Sequence, residues 1–153
     1  MKKIFLLLIV CFFYLNNSYS QDYKIKIQSK TSAYLIKGNT TLDTIDIRWY
    51  QKKRQFIKVL NNKVYVFRVV IPGVDNFEGA YSLIKEYTIS NEKFLLTNSL
   101  TINKNTYPKK YITFRLLKKG IELSYKKSFF KRVKRMITFN EFQRLKELEM
   151  DCN

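Results

Sequence analysis

Apolar residues recur along this chain mainly with a period of two, the repeat of a strand that buries one face and wets the other. Tyr23, Ile25 and Ile27 alternate with Lys24, Lys26 and Gln28, which predicts an edge strand. Ile45, Ile47 and Trp49 alternate with Asp46, Arg48 and Tyr50 in the same way. Between them, Ala33-Tyr34-Leu35-Ile36 is apolar, ends at Gly38-Asn39, and leaves its own type open. The stretch 55–71 organises the rest, because two β-branched and aromatic runs flank Asn61-Asn62. Asn tolerates the positive φ of a two-residue hairpin turn, so a β-hairpin is predicted here. Residues 66–71 are apolar at every position except Arg68, which predicts burial on both faces, at the centre of a sheet. Pro72-Gly73 stops the second strand, since Pro lacks the ladder donor and Gly permits the turn.

Two further strands, 81–89 and 94–102, are predicted around a turn at Asn91-Glu92-Lys93, although Leu83-Ile84 and Leu95-Leu96 interrupt their alternation. A hairpin follows: Ile112, Phe114 and Leu116 share one face, Lys118-Lys119-Gly120 turns, and Ile121, Leu123 and Tyr125 supply the matching face. From Ser128 the period changes. Phe129, Phe130, Val133, Met136 and Ile137 fall at helical spacing, while their β-branched content keeps a strand open. Thr138 followed by Glu141 is a capping-box pattern. The helix it opens, about 139–150, presents Phe142, Leu145 and Leu148 to a core. The predicted class is mainly β with a C-terminal α-helix: an antiparallel meander of seven to nine strands, barrel-like or strongly curved and closed by one helix, with a β-sandwich as the alternative.

Residues 1–20 do not belong to that domain. Lys2 and Lys3, the apolar run 4–15 and the small Ser18 and Ser20 have the three parts of a cleavable signal peptide. The apolar run is shorter than the ~20 residues a membrane span needs. The mature chain, 21–153, is then one β-rich domain in the periplasm or outside a bacterial cell, without a transmembrane segment. Of 29 basic residues 27 remain, against 12 acidic, a net charge of +15. Charge of that size implies an anionic partner such as lipid, polysaccharide or another cell-envelope polymer, or the solubility of a Lys-rich composition. Cys152 alone remains of the two cysteines, so the mature chain forms no internal disulfide and rests on its core.

The residues absent are informative about chemistry. With no histidine, the usual general base, triad partner and zinc ligand are missing. The four glycines form no phosphate-cradling loop. Asp43 with Asp46 and Asp75 with Glu78 are the close acidic pairs outside the final helix, and both sit near predicted turns. Residues 75–79 lack the ligand set of a calcium loop. No enzyme and no cofactor are expected. The sharpest positive feature is 126–135, where six of ten residues are basic and enclose Phe129-Phe130. Lys126, Lys127, Lys131, Arg132, Lys134 and Arg135, joined by Lys52, Lys53 and Arg54 at an earlier turn, are the candidate residues for an anionic partner or a partner protein. As a helix the segment would suit an anionic lipid surface; as a strand, cations and aromatics together would suit single-stranded nucleic acid, a partner an exported protein seldom meets. The plain alternative makes Phe129, Val133 and Ile137 core and the charges their wet face. Gathering the basic turns, Lys109-Lys110 and Lys118-Lys119 included, at one end of the sheet would give a single positive rim. A rival reading is a lipocalin-like carrier, with the nine Phe, nine Tyr and Trp49 of the mature chain lining a barrel cavity. Intact-mass measurement of the exported protein tests the address label: a chain beginning at Gln21 is expected, and retention of Met1 to Ser20 contradicts it.

Overall fold

Most of the period-two stretches become strands in the structure, a computed structural model that describes residues 23–47, 55–69, 81–104, 112–126 and 131–150; of the expected stretch 45–50 only Ile45 and Asp46 are strand, and 48–50 lie outside the described residues. The expected signal peptide, Trp49, the basic turn 51–54, Pro72-Gly73 and Cys152 lie outside the described residues. Strands β1 (Tyr23–Ser29), β2 (Ser32–Lys37) and β3 (Thr40–Asp46) form an antiparallel sheet in that order. β1 is the expected edge strand, and Ala33-Tyr34-Leu35-Ile36 resolves as β2. Gly38, at φ +59°, makes the β2–β3 turn.

β4 (Gln55–Leu60) and β5 (Lys63–Arg68) are the predicted hairpin, with Asn61 at φ 51° and Asn62 at φ 57°. These are the left-handed values of a two-residue hairpin turn. β6 (Tyr81–Ser90) and β7 (Lys93–Lys104) extend the sheet, so β5 is interior but β4 is an edge. The expectation that the whole hairpin lies at the centre is corrected, because a meander adds each new strand beside the last and strands its first member at the rim. Double-sided burial, expected of 66–71, is seen at Val64 to Phe67; Arg68 and Val69 are half-buried, and 70 and 71 lie outside the described residues. Tyr65 and Phe67 enter one core with Ile84, Leu100 and Ile102. Val64 and Val66 enter another with Ile57 and Ala33 of the β1–β3 sheet. Ile84 meets the larger core, while Leu83, on the other face, stands half-buried at the edge of the smaller one. Leu95 and Leu96 interrupt the alternation because they stand exposed near the tip of the β6–β7 hairpin.

β8 (Thr113–Leu117), β9 (Gly120–Lys126) and β10 (Arg132–Thr138) form the third sheet, order β10-β9-β8. Phe114 opposes Leu123 and Leu116 opposes Ile121, as the sequence predicts. These residues, with Tyr125 and Ile137, close the larger core against Phe67, where Phe114 and Phe67 lie 5.3 Å apart and Phe67 stacks on Phe56 at 5.0 Å. Each such ring pair adds ~0.5–1.5 kcal/mol beyond its buried area. Residues 132–138 are therefore strand, which settles 132–137 of the ambiguous 128–137 stretch; Ser128, Phe129 and Phe130 lie outside the described residues.

The C-terminal helix is corrected. α1 spans only Phe139–Arg144, and β11 (Glu147–Met150) runs parallel to β7. Thr138 caps the helix as predicted, its hydroxyl accepting from the Glu141 N–H at 3.1 Å. The chain then turns extended at Leu145, and the Lys146 carbonyl accepts from Thr101 N–H at 2.9 Å, which starts the new ladder. Phe142, Leu145 and Leu148 fit a helical stripe, but an edge of β7 with unpaired backbone groups is satisfied only by a strand. The described residues form three sheets, one of them mixed, and no closed barrel.

Gly120 leaves no room for a side chain: a Cβ there would run into the Ile137 carbonyl of β10. Gly38 has open space around it. We expect Gly120→Ala to cost more than about 2 kcal/mol in urea unfolding, through forced separation of β9 and β10. Gly38→Ala should cost about 1 kcal/mol, for its positive φ alone.

Candidate functional site

Period two sorts the β8–β10 sheet into an apolar face and a charged one. Opposite the core-facing Phe114, Leu123, Val133 and Ile137 stand Thr113 and Arg115 on β8, Glu122 and Ser124 on β9, and Arg132, Lys134 and Met136 on β10. Arg115 Nη1 lies 3.7 Å and Lys134 Nζ 3.4 Å from the two oxygens of Glu122, so one carboxylate spans three strands. Arg115 and Lys134 nonetheless keep 67% and 55% of their side chains exposed. Exposed pairs of this kind contribute at most about 1 kcal/mol, so the cations remain free to exchange partners. Arg132 Nη1 donates to the nearly buried Ser124 hydroxyl at 3.5 Å, and that hydroxyl shares a 2.7 Å hydrogen bond with Thr113. Glu122 is the one carboxylate among the described residues of this face.

The residues expected to meet an anionic partner are therefore divided. Arg132 and Lys134 share the solvent face, and Lys131 is exposed just before it. Lys126 stands opposite Arg132 in register. Arg135 points the other way and, though still exposed, pairs with Glu141 of α1 at 3.3 Å, so it does not join that face. Lys127, Lys52, Lys53 and Arg54 lie outside the described residues, as do Lys109 and Lys110. The single positive rim is not formed by the turns that are described. The Lys118-Lys119 turn adjoins Gly120 and Thr138, whereas Lys131 and Arg132 adjoin Lys126 at the other end of β9. A seven-residue strand separates the two by ~20 Å. Arg115 was absent from the predicted set. Its signal was the polar alternation of Thr113 and Arg115 between Ile112, Phe114 and Leu116.

Two acidic groups have structural work. Asp43 accepts from the Phe94 and Thr44 N–H groups at 2.6 and 2.8 Å, tying β3 to β7, and Asp46 accepts from the Ser32 hydroxyl at 2.7 Å. Asp75 and Glu78 lie outside the described residues. No group of three or more metal-ligating side chains occurs among the described residues, nor does any helix long and apolar enough to cross a membrane.

Glu86 is a carboxylate the sequence gave no reason to single out. It is 1% exposed, on the larger-core face of β6. A β-bulge after Glu86 leaves Thr97 unpaired in the β6–β7 ladder and aims its hydroxyl at Glu86 Oε1, 3.0 Å away. Lys63 Nζ and Gln143 Nε2 reach the same oxygen at 3.1 and 2.9 Å, and the Tyr65 hydroxyl donates to Oε2 at 2.8 Å. Burial pushes the Glu86 carboxyl up. The hydrogen bonds from Gln143, Tyr65, Lys63 and Thr97 more than offset this and hold it below its ordinary 4.5. Burial, then Glu86 itself, raises the Tyr65 hydroxyl well above the usual tyrosine value. A carboxylate with both oxygens so engaged takes no proton from a substrate. It anchors α1 to the sheet.

Because its folded value lies below the unfolded one, Glu86 adds stability that is complete above about pH 4.5 and is lost as pH falls through the folded value. Glu86→Gln is expected to cost about 1–3 kcal/mol at neutral pH. It should also flatten the acid side of a stability-against-pH curve measured by urea titration between pH 6 and 3.

No family model, no curated protein and no solved structure matches this chain, so function must be read from the chain's own geometry.

Proposed function

We propose that this chain is a small exported, non-enzymatic binding domain that engages an anionic surface or polymer, or an acidic partner protein, through the solvent face of the β8–β10 sheet. The observation that carries this is the placement of Arg115, Arg132 and Lys134 on one exposed face beside a single carboxylate, Glu122. Strands ~4.8 Å apart space the cations laterally at a few ångströms to about a nanometre, the scale of charge repeats on polyanions. Lys131 and the Lys118-Lys119 turn extend positive charge to both ends of the sheet. The reading takes residues 1–20 as a signal for export to the periplasm or beyond.

The carrier reading draws no support from the aromatic residues. Phe56, Tyr65, Phe67, Phe114, Phe139 and Phe142 contact one another between the central sheet and the β8–β10 sheet, which accounts for much of the aromatic surplus as core. For the same reason we favour stacked, sandwich-like sheets over a hollow barrel.

The test compares two triple variants of equal net charge on heparin and on vesicles containing anionic lipid, across a salt series. Arg115→Gln with Arg132→Gln and Lys134→Gln should lower retention and reduce the salt slope by about two to three. Lys24→Gln with Lys26→Gln and Lys58→Gln, all exposed elsewhere, should leave most of it. Equal loss in both would overturn the reading, since charge alone and not its arrangement would then be responsible.

A further inference from the structure

The outer face of the central sheet is only partly covered. The β1–β3 sheet packs over Val64, Val66 and Ile57, and next to it the structure leaves a cleft of about 280 Å³, open to solvent on one side. Its floor is one face of β4, β5 and β6: Gln55 opposes Arg68, Arg68 opposes Leu83 and Val66 opposes Lys85 in register, with Tyr87 two residues beyond Lys85. Its wall is the end of β3, Ile45 to Ile47.

Two features distinguish this cleft from a packing gap. Lys85 and Tyr87 both line it, and neither side chain has a hydrogen bond or ion pair among the described residues. Being two apart on one strand, they project from the same face with backbones ~6.6 Å apart, close enough for both donors to reach one small head group. Burial raises the Tyr87 hydroxyl, which keeps it a protonated donor at every ordinary pH. Lys85 also brings a positive charge that no described carboxylate pairs with, and Asp46 on the cleft wall has its Oδ1 engaged by the Ser32 hydroxyl. A monoanion supplies the counter-charge. Val66, Leu83, Ile45 and Ile47 supply apolar surface beside it.

The geometry points to a binding site for a small amphipathic carboxylate: its head taken by Lys85 Nζ and the Tyr87 hydroxyl, its apolar body laid along Leu83, Val66 and Ile47. The site is on the opposite face of the central sheet from the β8–β10 sheet and is independent of the polyanion reading. A body of about eight carbons fits the volume.

Calorimetric titration of the purified protein with octanoate and, separately, with octan-1-ol tests it. Octanoate should bind saturably at one site, and octanol about tenfold more weakly or not at all, because the charge-assisted hydrogen bond is lost. Lys85→Met should weaken octanoate about tenfold and bring it level with octanol, while Tyr87→Phe should weaken it about threefold. The Arg115→Gln, Arg132→Gln, Lys134→Gln variant should bind octanoate as the parent does, so this site and the cationic face fail or survive separately. Equal affinity for octanoate and octanol in the parent protein, no saturable binding, or an unchanged Lys85→Met would each overturn the assignment. Should either variant not fold, amide chemical-shift changes in the parent protein decide: they should centre on Val66, Leu83, Lys85 and Tyr87, and a centre on β8–β10 would overturn it.

Discussion

The fold depends on the burial of β5 from both sides. Val64 and Val66 face one way and Tyr65 and Phe67 the other, and none of the four is more than 8% exposed. Fully burying one such side chain is worth ~1.5–3 kcal/mol, so a sheet that left either row wet would forfeit several times that. The chain therefore supplies a cover for each face. Residues before β4 make the β1–β3 sheet for one, and residues after β7 make the β8–β10 sheet for the other. The two covers are unequal. The larger core takes the aromatic rings and the helix, and the smaller takes mainly aliphatic side chains and leaves the Lys85–Tyr87 cleft at its margin.

A second constraint locks the end of the larger core. Between β10 in one sheet and β11 in another the chain must cross from layer to layer, and α1 makes that crossing. Two polar anchors hold it. Gln143 reaches the buried Glu86, and Asn98 donates to the Phe142 carbonyl while accepting from Lys146 Nζ. A buried carboxylate is costly unless its oxygens are filled, and here Lys63, Tyr65, Thr97 and Gln143 all donate to it. The bulge at Thr97 is what lets β7 contribute. The result is a helix of six residues that would have no stability alone.

Charge is distributed by the same alternation that builds the core. Along β10, Val133 and Ile137 go inward and Arg132, Lys134 and Met136 outward, so a basic run becomes a charged strand face without any special device. Arg135 shows the limit of reading such a run as one unit. Its parity sends it to the α1 side, where Glu141 pairs with it, although it follows Lys134 directly in sequence. The cationic face that results is thinner than the sequence run suggests, and is completed from another strand by Arg115.

By itself the sequence determined most of the strands, their turns and many of their faces, while it left 33–36 and 128–137 open in type and read 147–150 as helix. Asn61-Asn62, Gly38 and the Thr138 cap carry their geometry locally, and the alternation of 112–125 fixes its register because a one-residue slip would invert every side chain. Tertiary structure alone decided where each strand sits and what its polar residues meet. It turned residues 147–150 from the end of a helix into a strand, because the waiting edge of β7 offers backbone partners that no local propensity encodes. It made Glu86 an anchor by bringing Tyr65, Thr97 and Gln143, 11 to 57 residues distant, onto one carboxylate. It set the Lys85 and Tyr87 side chains beside the end of β3 with no polar partner among the described residues. Pairings over such separations leave no trace in a period of two or of 3.6, so they appear only when the sheets are stacked.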